Sequence, residues 1–380
     1  MGPLLPIFLT VLVDVPALTI VLPLLPFYAQ EFGASPLTIG LLFASFSLCQ
    51  LFSGPVLGRL SDRLGRKPVL IVSQLGTFTG LLIMAFANRL EWLFVGRMLD
   101  GMTAGNLSIA QAYIADVTKP EKRTRAFALV GIAFGFGFLV GPAFAGLFAK
   151  RFGNHAPFLL AASLSLLSVG LTASLLPRTP PANVALERGL AAARRMLSQP
   201  APRGRLAEFF TFLLAFSMLT GGLALFLSER MKFDVEHVGW AFAYAGLIGG
   251  LMQGGIGRLA TRLGEARLSA AGIILMAAGY AVLSQARSLA VLGVALTLGS
   301  MGSAVVRPAL TTLLTGSVSE QDRGLALGTS QSLASIATAT GPAVSGFLIH
   351  RGLLAAWALT MAAVSLSTLA VRWLLGAPRV

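Results

Sequence analysis

The chain has 380 residues, of which 55% are hydrophobic and only 12% charged. A soluble protein of this size carries about 25% charged residues, so a water-soluble globular fold is excluded and a membrane protein is expected. The net charge of +14 does not mark a nucleic-acid binder, because the basic residues are spread loop by loop and do not gather with aromatics on one polar face.

A bilayer span takes roughly 20 apolar residues. Hydrophobic runs broken by charge, glycine or proline predict twelve spans, at 4–28, 38–59, 68–87, 91–115, 124–149, 156–176, 206–228, 237–258, 267–286, 288–315, 323–349 and 353–375. The first basic residue is Arg59, so the first run lacks the charged head of a cleaved signal and reads as a retained span. Between the sixth and seventh runs, residues 177–205 carry Pro177, Pro180, Pro181, Pro200 and Pro202, with a basic stretch from Glu187 to Arg195. They read as a linker containing an interfacial helix. The expected organisation is an all-α membrane protein: a six-helix bundle over 1–176, the linker, and a second six-helix bundle over 206–380. The loops after even-numbered spans, with the C-terminus, hold nineteen Lys and Arg, and the opposite loops hold seven. The positive-inside rule then puts both termini in the cytoplasm, and the inner membrane is the expected location.

The two bundles are copies of one unit. Gly58-Arg59-Leu60-Ser61-Asp62-Arg63-Leu64-Gly65-Arg66-Lys67 returns as Gly257-Arg258-Leu259-Ala260-Thr261-Arg262-Leu263-Gly264-Glu265-Ala266. Gly141-Pro142-Ala143 with Gly146 returns as Gly341-Pro342-Ala343 with Gly346, and Arg123 returns as Arg323. Parallel repeats of this kind mark secondary transporters. An enzyme would need a nucleophile, a metal cluster or paired acids at one face, and an ATP-driven pump a phosphate-binding loop. The sequence carries none of these signatures, and its single cysteine, Cys49, forms no disulfide within the chain.

Charges inside spans are costly and tend to be functional. Two acids fall well inside predicted spans, Asp14 and Asp100, and Arg97 precedes Asp100 by three residues on the same helix face. Three readings stand for them: a structural ion pair between Arg97 and Asp100, a proton carrier at Asp14 or Asp100, or direct contact with a cationic substrate. Arg307 is the lone buried cation expected in the second half, placed to meet an anionic group or to pair with Asp14. Gln50, Ser108, Gln111, Tyr244, Gln253 and Gln331 are candidate polar cavity residues. Phe134, Phe138, Phe209, Phe216 and Met218 are candidates for an apolar wall.

These features resemble the major facilitator superfamily along essentially the whole chain. The loop Gly58-x-Leu60-x-Asp62-Arg63-x-Gly65-Arg66-Lys67 matches that family's motif between spans 2 and 3. Arg97 with Gly101 and Gly105 resembles a second family motif. Gly137-x3-Gly141-Pro142-x3-Gly146 resembles the span-5 motif of drug/proton antiporters, with Ala128 and Ala145 where glycines are usual. Asp14 with Pro23-Leu24-Leu25-Pro26, Ala112-Tyr113-Ile114-Ala115-Asp116 and His155-Ala156-Pro157-Phe158 are similar to the tetracycline-efflux branch. Those pumps carry acids in span 3 near the position of Gly80 and in span 9. Neither is present here, which argues against tetracycline as the substrate.

The resemblance implies a proton-coupled exporter of lipophilic compounds, driven by the proton gradient without a cofactor or metal. Its partners would be the substrate, protons and membrane lipids, with a monomer as the working unit. In the loop motif, Asp62 is placed to cap a helix or to pair with Arg123 or a cation of the other half. Asp116 is placed to accept from Arg63 or Arg66. Together these form a gate, with Lys67 among its cations. The second copy has Thr261 for the acid, so unequal gates are expected. Gly137, Gly141 and Pro142 let span 5 pack closely or bend, and the expected partner is span 8, through Gly246, Gly249, Gly250, Gly254, Gly255 and Gly257. The alternative function is a carrier of a specific metabolite, organic anion or lipid that uses Arg307 and Arg97.

Overall fold

The computed structural model describes residues 4–118, 123–177 and 189–374. These form fourteen α-helices: α1 (Leu4–Glu31), α2 (Pro36–Leu64), α3 (Arg66–Ala85), α4 (Leu90–Met102), α5 (Asn106–Val117), α6 (Arg123–Phe152), α7 (Ala156–Leu175), α8 (Gly189–Ser198), α9 (Pro200–Met231), α10 (Val235–Leu263), α11 (Glu265–Leu283), α12 (Leu289–Gly316), α13 (Arg323–His350) and α14 (Leu354–Leu374). Among the described residues there is no strand. Ten helices are long and apolar enough to cross a membrane. The two other predicted spans fall on α10 and on the α4–α5 pair, which are not among those ten. The predicted fourth span, 91–115, is not continuous: the helix breaks at Thr103–Gly105.

Contacts divide the chain into two compact units, Met1–Ala185 with Phe233–Gly246, and Leu186–Lys232 with Leu247–Val380. In the first, Ile7, Val11 and Val15 of α1 meet Val69 and Leu70 of α3, Ile109, Tyr113 and Ile114 of α5, and Ala133 of α6. In the second, α11 packs on α12 and α14, and α9 on α13 and α14. The basic linker helix α8 is docked rather than free on the bilayer surface. Met196 is fully buried with Leu206, Leu314 and Ala326, and Arg195 pairs with Asp322.

The repeat read from the sequence recurs inside each unit as matched geometry. In the first, Thr19 Oγ1 donates to the Gly137 carbonyl at 2.7 Å. In the second, Ser217 Oγ donates to the Ala337 carbonyl at 2.7 Å. Gly65 (φ 91°) and Gly264 (φ 76°) end α2 and α10 at the equivalent loop positions, in a backbone region that only glycine occupies without strain.

Lipid removes most of the hydrophobic drive between helices, so close approach of small residues takes its place. A Cβ on Gly137 would sit 2.5 Å from Val15 Cγ1, and one on Gly141 would sit 2.9 Å from the Pro16 carbonyl oxygen. Gly141→Leu is therefore expected to destabilise the protein by about 1–3 kcal/mol through overpacking of α1 on α6. Gly170→Leu, at a site with nothing within 4 Å, should leave the thermal unfolding midpoint unchanged. Equal midpoints for the two variants would refute the close packing.

The expected pairing of spans 5 and 8 is found only in part. Cβ atoms on Gly146, Gly239 and Gly246 would strike Glu236 Cα, the Pro142 carbonyl and the Phe138 carbonyl in turn, and Lys150 pairs with Glu236. Gly249, Gly250, Gly254, Gly255 and Gly257 have nothing within 4 Å.

Candidate functional site

Polar groups inside the first unit converge on one turn of α3. Gln74 is fully buried. Its Nε2 donates to Asp14 Oδ2 of α1 at 3.3 Å and to Ser168 Oγ of α7 at 2.8 Å. Ser168 also hydrogen bonds Asp14. One turn further along, Thr77 hydrogen bonds Asp100 of α4. Gln74 and Thr77 share a helix face at i, i+3, so α3 holds a carboxyl from α1 and a carboxyl from α4 on one stripe. The two acids act on each other electrostatically. Asp14 is half-buried, while Asp100 and Arg97 are buried.

Arg97 Nη1 reaches Asp100 Oδ2 at 3.4 Å, and its guanidinium lies 4.2 Å from the centroid of the Phe46 ring. A stacked cation of this kind gains from the ring quadrupole where water is absent. Arg97 Nε has no hydrogen-bond partner, so the pair is incompletely satisfied. α3 and α4 approach this closely because Gly80 faces Gly96. A Cβ on Gly80 would sit 2.7 Å from the Gly96 carbonyl oxygen and 3.1 Å from Asp100 Cβ. The position without the expected span-3 acid is thus the position that Asp100 abuts, and α4 supplies a carboxyl there.

The helix break just beyond Asp100 leaves backbone groups that lipid cannot satisfy, and neighbouring side chains satisfy them. Ser73 Oγ donates to the Thr103 carbonyl and accepts from the Gly105 N–H. Ser53 Oγ donates to the Gly101 carbonyl at 2.8 Å, and Gln50 Nε2 to the Ala104 carbonyl at 3.5 Å. Gln50, expected as a cavity ligand, is therefore engaged by the break. Interrupted spans in transporters characteristically sit at binding or ion sites.

At the α2–α3 corner, Arg66 rather than Arg63 is the hub. Its Nη1 lies 2.5 Å from Asp62 Oδ1 and 2.7 Å from Ser61 Oγ, and its Nε lies 2.8 Å from Asp116 Oδ2. Arg63 is exposed. Lys67 Nζ donates to the Ala173 carbonyl at 2.7 Å. Gly58 has open space around it, and Gly65 makes the turn. The side chain of Arg123 lies outside the described residues.

In the second unit, Met218, expected on a cavity wall, is 1% exposed, and its carbonyl accepts from Ser345 Oγ. It is a packing residue. Phe209 is buried beside Phe212, whose ring stacks on half-buried Phe216. Ser108, Tyr244, Gln253 and Gln331 are exposed and Gln111 half-buried, and Phe134 stacks on Phe138. Arg307 is exposed, not buried. It is not the lone cation of this half either: Arg205, 3% exposed, and Arg372 both bind Glu208, which is fully buried. Glu208 is a third acid inside a span. The expected count of two fails because α9 starts at Pro200, earlier than the hydrophobic run.

Sequence reasoning missed Gln74, Thr77, Ser168 and Glu208. A buried amide or hydroxyl on an apolar helix carries no periodicity signal. The one available clue was the short polar cluster Ser73, Gln74 and Thr77 inside a predicted span.

A family model for the Major Facilitator Superfamily matches residues 7–253 and 208–380. Tetracycline resistance protein, class E, of Escherichia coli is 32% identical over 351 residues, covering 89% of this chain and 85% of that protein. Major facilitator superfamily domain-containing protein 10 of Homo sapiens is 29% identical over 391 residues, with the same coverage of the two chains. The crystal structure of the human organic anion transporter MFSD10 matches with a TM-score of 0.77 at 25% identity, over 97% of this chain and 98% of that one. The nucleoside transporter NupG matches with a TM-score of 0.78 at 16% identity over the whole of both chains, a likeness of fold alone.

Proposed function

The chain belongs to the Major Facilitator Superfamily and is a secondary transporter, and from that premise we propose that it exports lipophilic small molecules in exchange for protons. One observation carries the reading. Two interacting carboxyls, Asp14 and Asp100, stand on one polar face of α3 inside an apolar bundle, the first half-buried and the second buried. Proton coupling requires a carboxyl that is charged in one state and neutral in another, and a half-buried acid held by neutral donors suits that task. Arg97 biases the pair by staying beside Asp100. The similarity to tetracycline resistance proteins supports export as the direction. Both termini are placed in the cytoplasm on loop charge, and the inner membrane, alternating access and a monomeric unit belong to the same reading.

A second reading, a carrier of organic anions, is favoured by Arg307. It is exposed within α12 and has no ion-pair partner among the described residues. A cation facing hydrocarbon is costly, so Arg307 suits a water-filled path in which an anionic group is held. The similar human MFSD10 is an organic anion transporter.

The test is transport in proteoliposomes with tetraphenylphosphonium and ethidium as lipophilic cations and fluorescein as an organic anion. A one-unit pH gradient supports about tenfold accumulation per proton exchanged. Wild type is expected to reach that level with a cation. Asp14→Asn should lose accumulation and keep counterflow. Accumulation of fluorescein alone, lost in Arg307→Ala, would replace the first reading with the second. Transport of both probe types that ignores the gradient would discard proton coupling.

A further inference from the structure

We propose that Gln74 is the positioning residue that reports the protonation state of Asp14 to α7, by turning its side-chain amide over when Asp14 takes up a proton. The inference builds on the reading of Asp14 as a proton site.

The amide is held in an orientation that serves its neighbours and not itself. Nε2 faces Asp14 and Ser168, while Oε1 is buried and has no hydrogen-bond partner. A buried orphan acceptor is costly and calls for a reason. A charged Asp14 supplies one, since a carboxylate only accepts and holds the amide donor side toward itself. A neutral Asp14 carries an O–H and needs an acceptor, which Oε1 becomes once the amide turns over. One amide terminus is then unpaired in either orientation, so neither is locked and Asp14 decides between them.

Ser168 feels the change. With Nε2 toward it, its oxygen accepts from Gln74 and its hydrogen is free for Asp14 or for the Thr10 carbonyl of α1, 3.4 Å away. With Oε1 toward it, the hydroxyl donates to Gln74 instead, and the link from α7 to α1 is released. The backbone of Gln74 stays anchored, because Ser165 Oγ donates to its carbonyl at 3.1 Å. Protonation on α1 is thereby converted into a changed contact between α1 and α7 through α3.

Charged groups on the neighbouring described helices set the field around Asp14. α4 presents Asp100 and Arg97, the carboxyl of Asp100 acting on Asp14 directly. α7 carries no charged side chain. Asp62 of α2 and Asp116 of α5 are held at the far corner by Arg66 of α3, where Lys67 also lies. Lys150 and Arg151 of α6 lie in its last turn.

The experiment is pH-difference infrared spectroscopy of the full-length protein in lipid, comparing wild type, Asp14→Asn, Gln74→Leu, Ser168→Ala and Ser165→Ala. Wild type should show a protonated-carboxyl band, lost in Asp14→Asn, and a side-chain amide band, lost in Gln74→Leu, that change together with one midpoint. Gln74→Leu removes a donor from the carboxylate and should raise the carboxyl midpoint by about one pH unit. Ser168→Ala removes the other donor to that carboxylate and should raise it as well, and Ser165→Ala should leave it in place. An amide band that stays constant through the carboxyl midpoint overturns the proposal, as do unmoved midpoints in both Gln74→Leu and Ser168→Ala. Should Gln74→Leu fail to fold, the amide band and Ser168→Ala decide alone. Correlated bands without gradient-driven transport would uphold the amide switch and overturn the exporter reading instead.

Discussion

Glu208→Ala is expected to lower the stability of the second unit by about 3–5 kcal/mol, the loss that follows when one partner of a buried ion pair is removed. Glu208 is fully buried, with Arg205 Nη1 at 2.9 Å from Oε1 and Arg372 Nη2 at 2.9 Å from Oε2. Truncation leaves both guanidinium groups facing each other without the carboxylate. Arg372 also donates to the Ala266 carbonyl and to Ser269 Oγ of α11, so the damage spreads across α9, α11 and α14. The measurement is the thermal unfolding midpoint in detergent. Replacing all three charged residues together by leucine or methionine should cost far less than the single change, because no charge is then left buried. A single variant as stable as wild type would show that the triad is not a structural tie.

Arg66→Ala is expected to abolish most transport and to lower stability by about 2–3 kcal/mol, since it strips the partner from two carboxylates and a hydroxyl. The Arg66 side chain is only 10% exposed and that of Asp62 17%, so water replaces the lost bonds poorly. Arg66→Lys should retain part of the function. It keeps the charge but loses the fork that reaches Asp62 and Asp116 at once. Arg63→Ala removes an exposed charge and should stay within about 0.5 kcal/mol of wild type. Counterflow rate and unfolding midpoint, measured side by side, separate the two roles. A loss of transport with an unchanged midpoint would make Arg66 a moving gate contact. A matching loss of both would make it a structural hub.

The contrast between Arg63 and Arg66 shows how far the sequence reaches. The motif placed Asp62, Arg63, Arg66 and Lys67 at one helix corner, with Asp116 expected to accept from Arg63 or Arg66, and Asp62, Arg66 and Asp116 do meet. Which arginine takes the acceptor depends on the turn at Gly65, whose positive φ starts α3 with Arg66 inward. The same limit applies to Arg307 and Met218. Hydropathy placed both on spans, but exposure on a helix depends on which neighbours cover each face, and the expected assignments were reversed.

The sequence by itself determined the membrane class, the all-α fold, the repeat and the family. These are set by local quantities: apolar run length, loop charge, and glycines and prolines at a fixed offset, all of which survive without knowledge of contacts. Only the tertiary structure decided that span 4 breaks beside Asp100, that Gln74 and Ser168 hold Asp14, and that Glu208 is locked between two arginines. Each of these depends on side chains brought together from helices far apart in the chain. A lone Gln, Ser or Glu in an apolar helix has the same sequence signature whether it faces lipid, water or a partner, and only packing tells these apart.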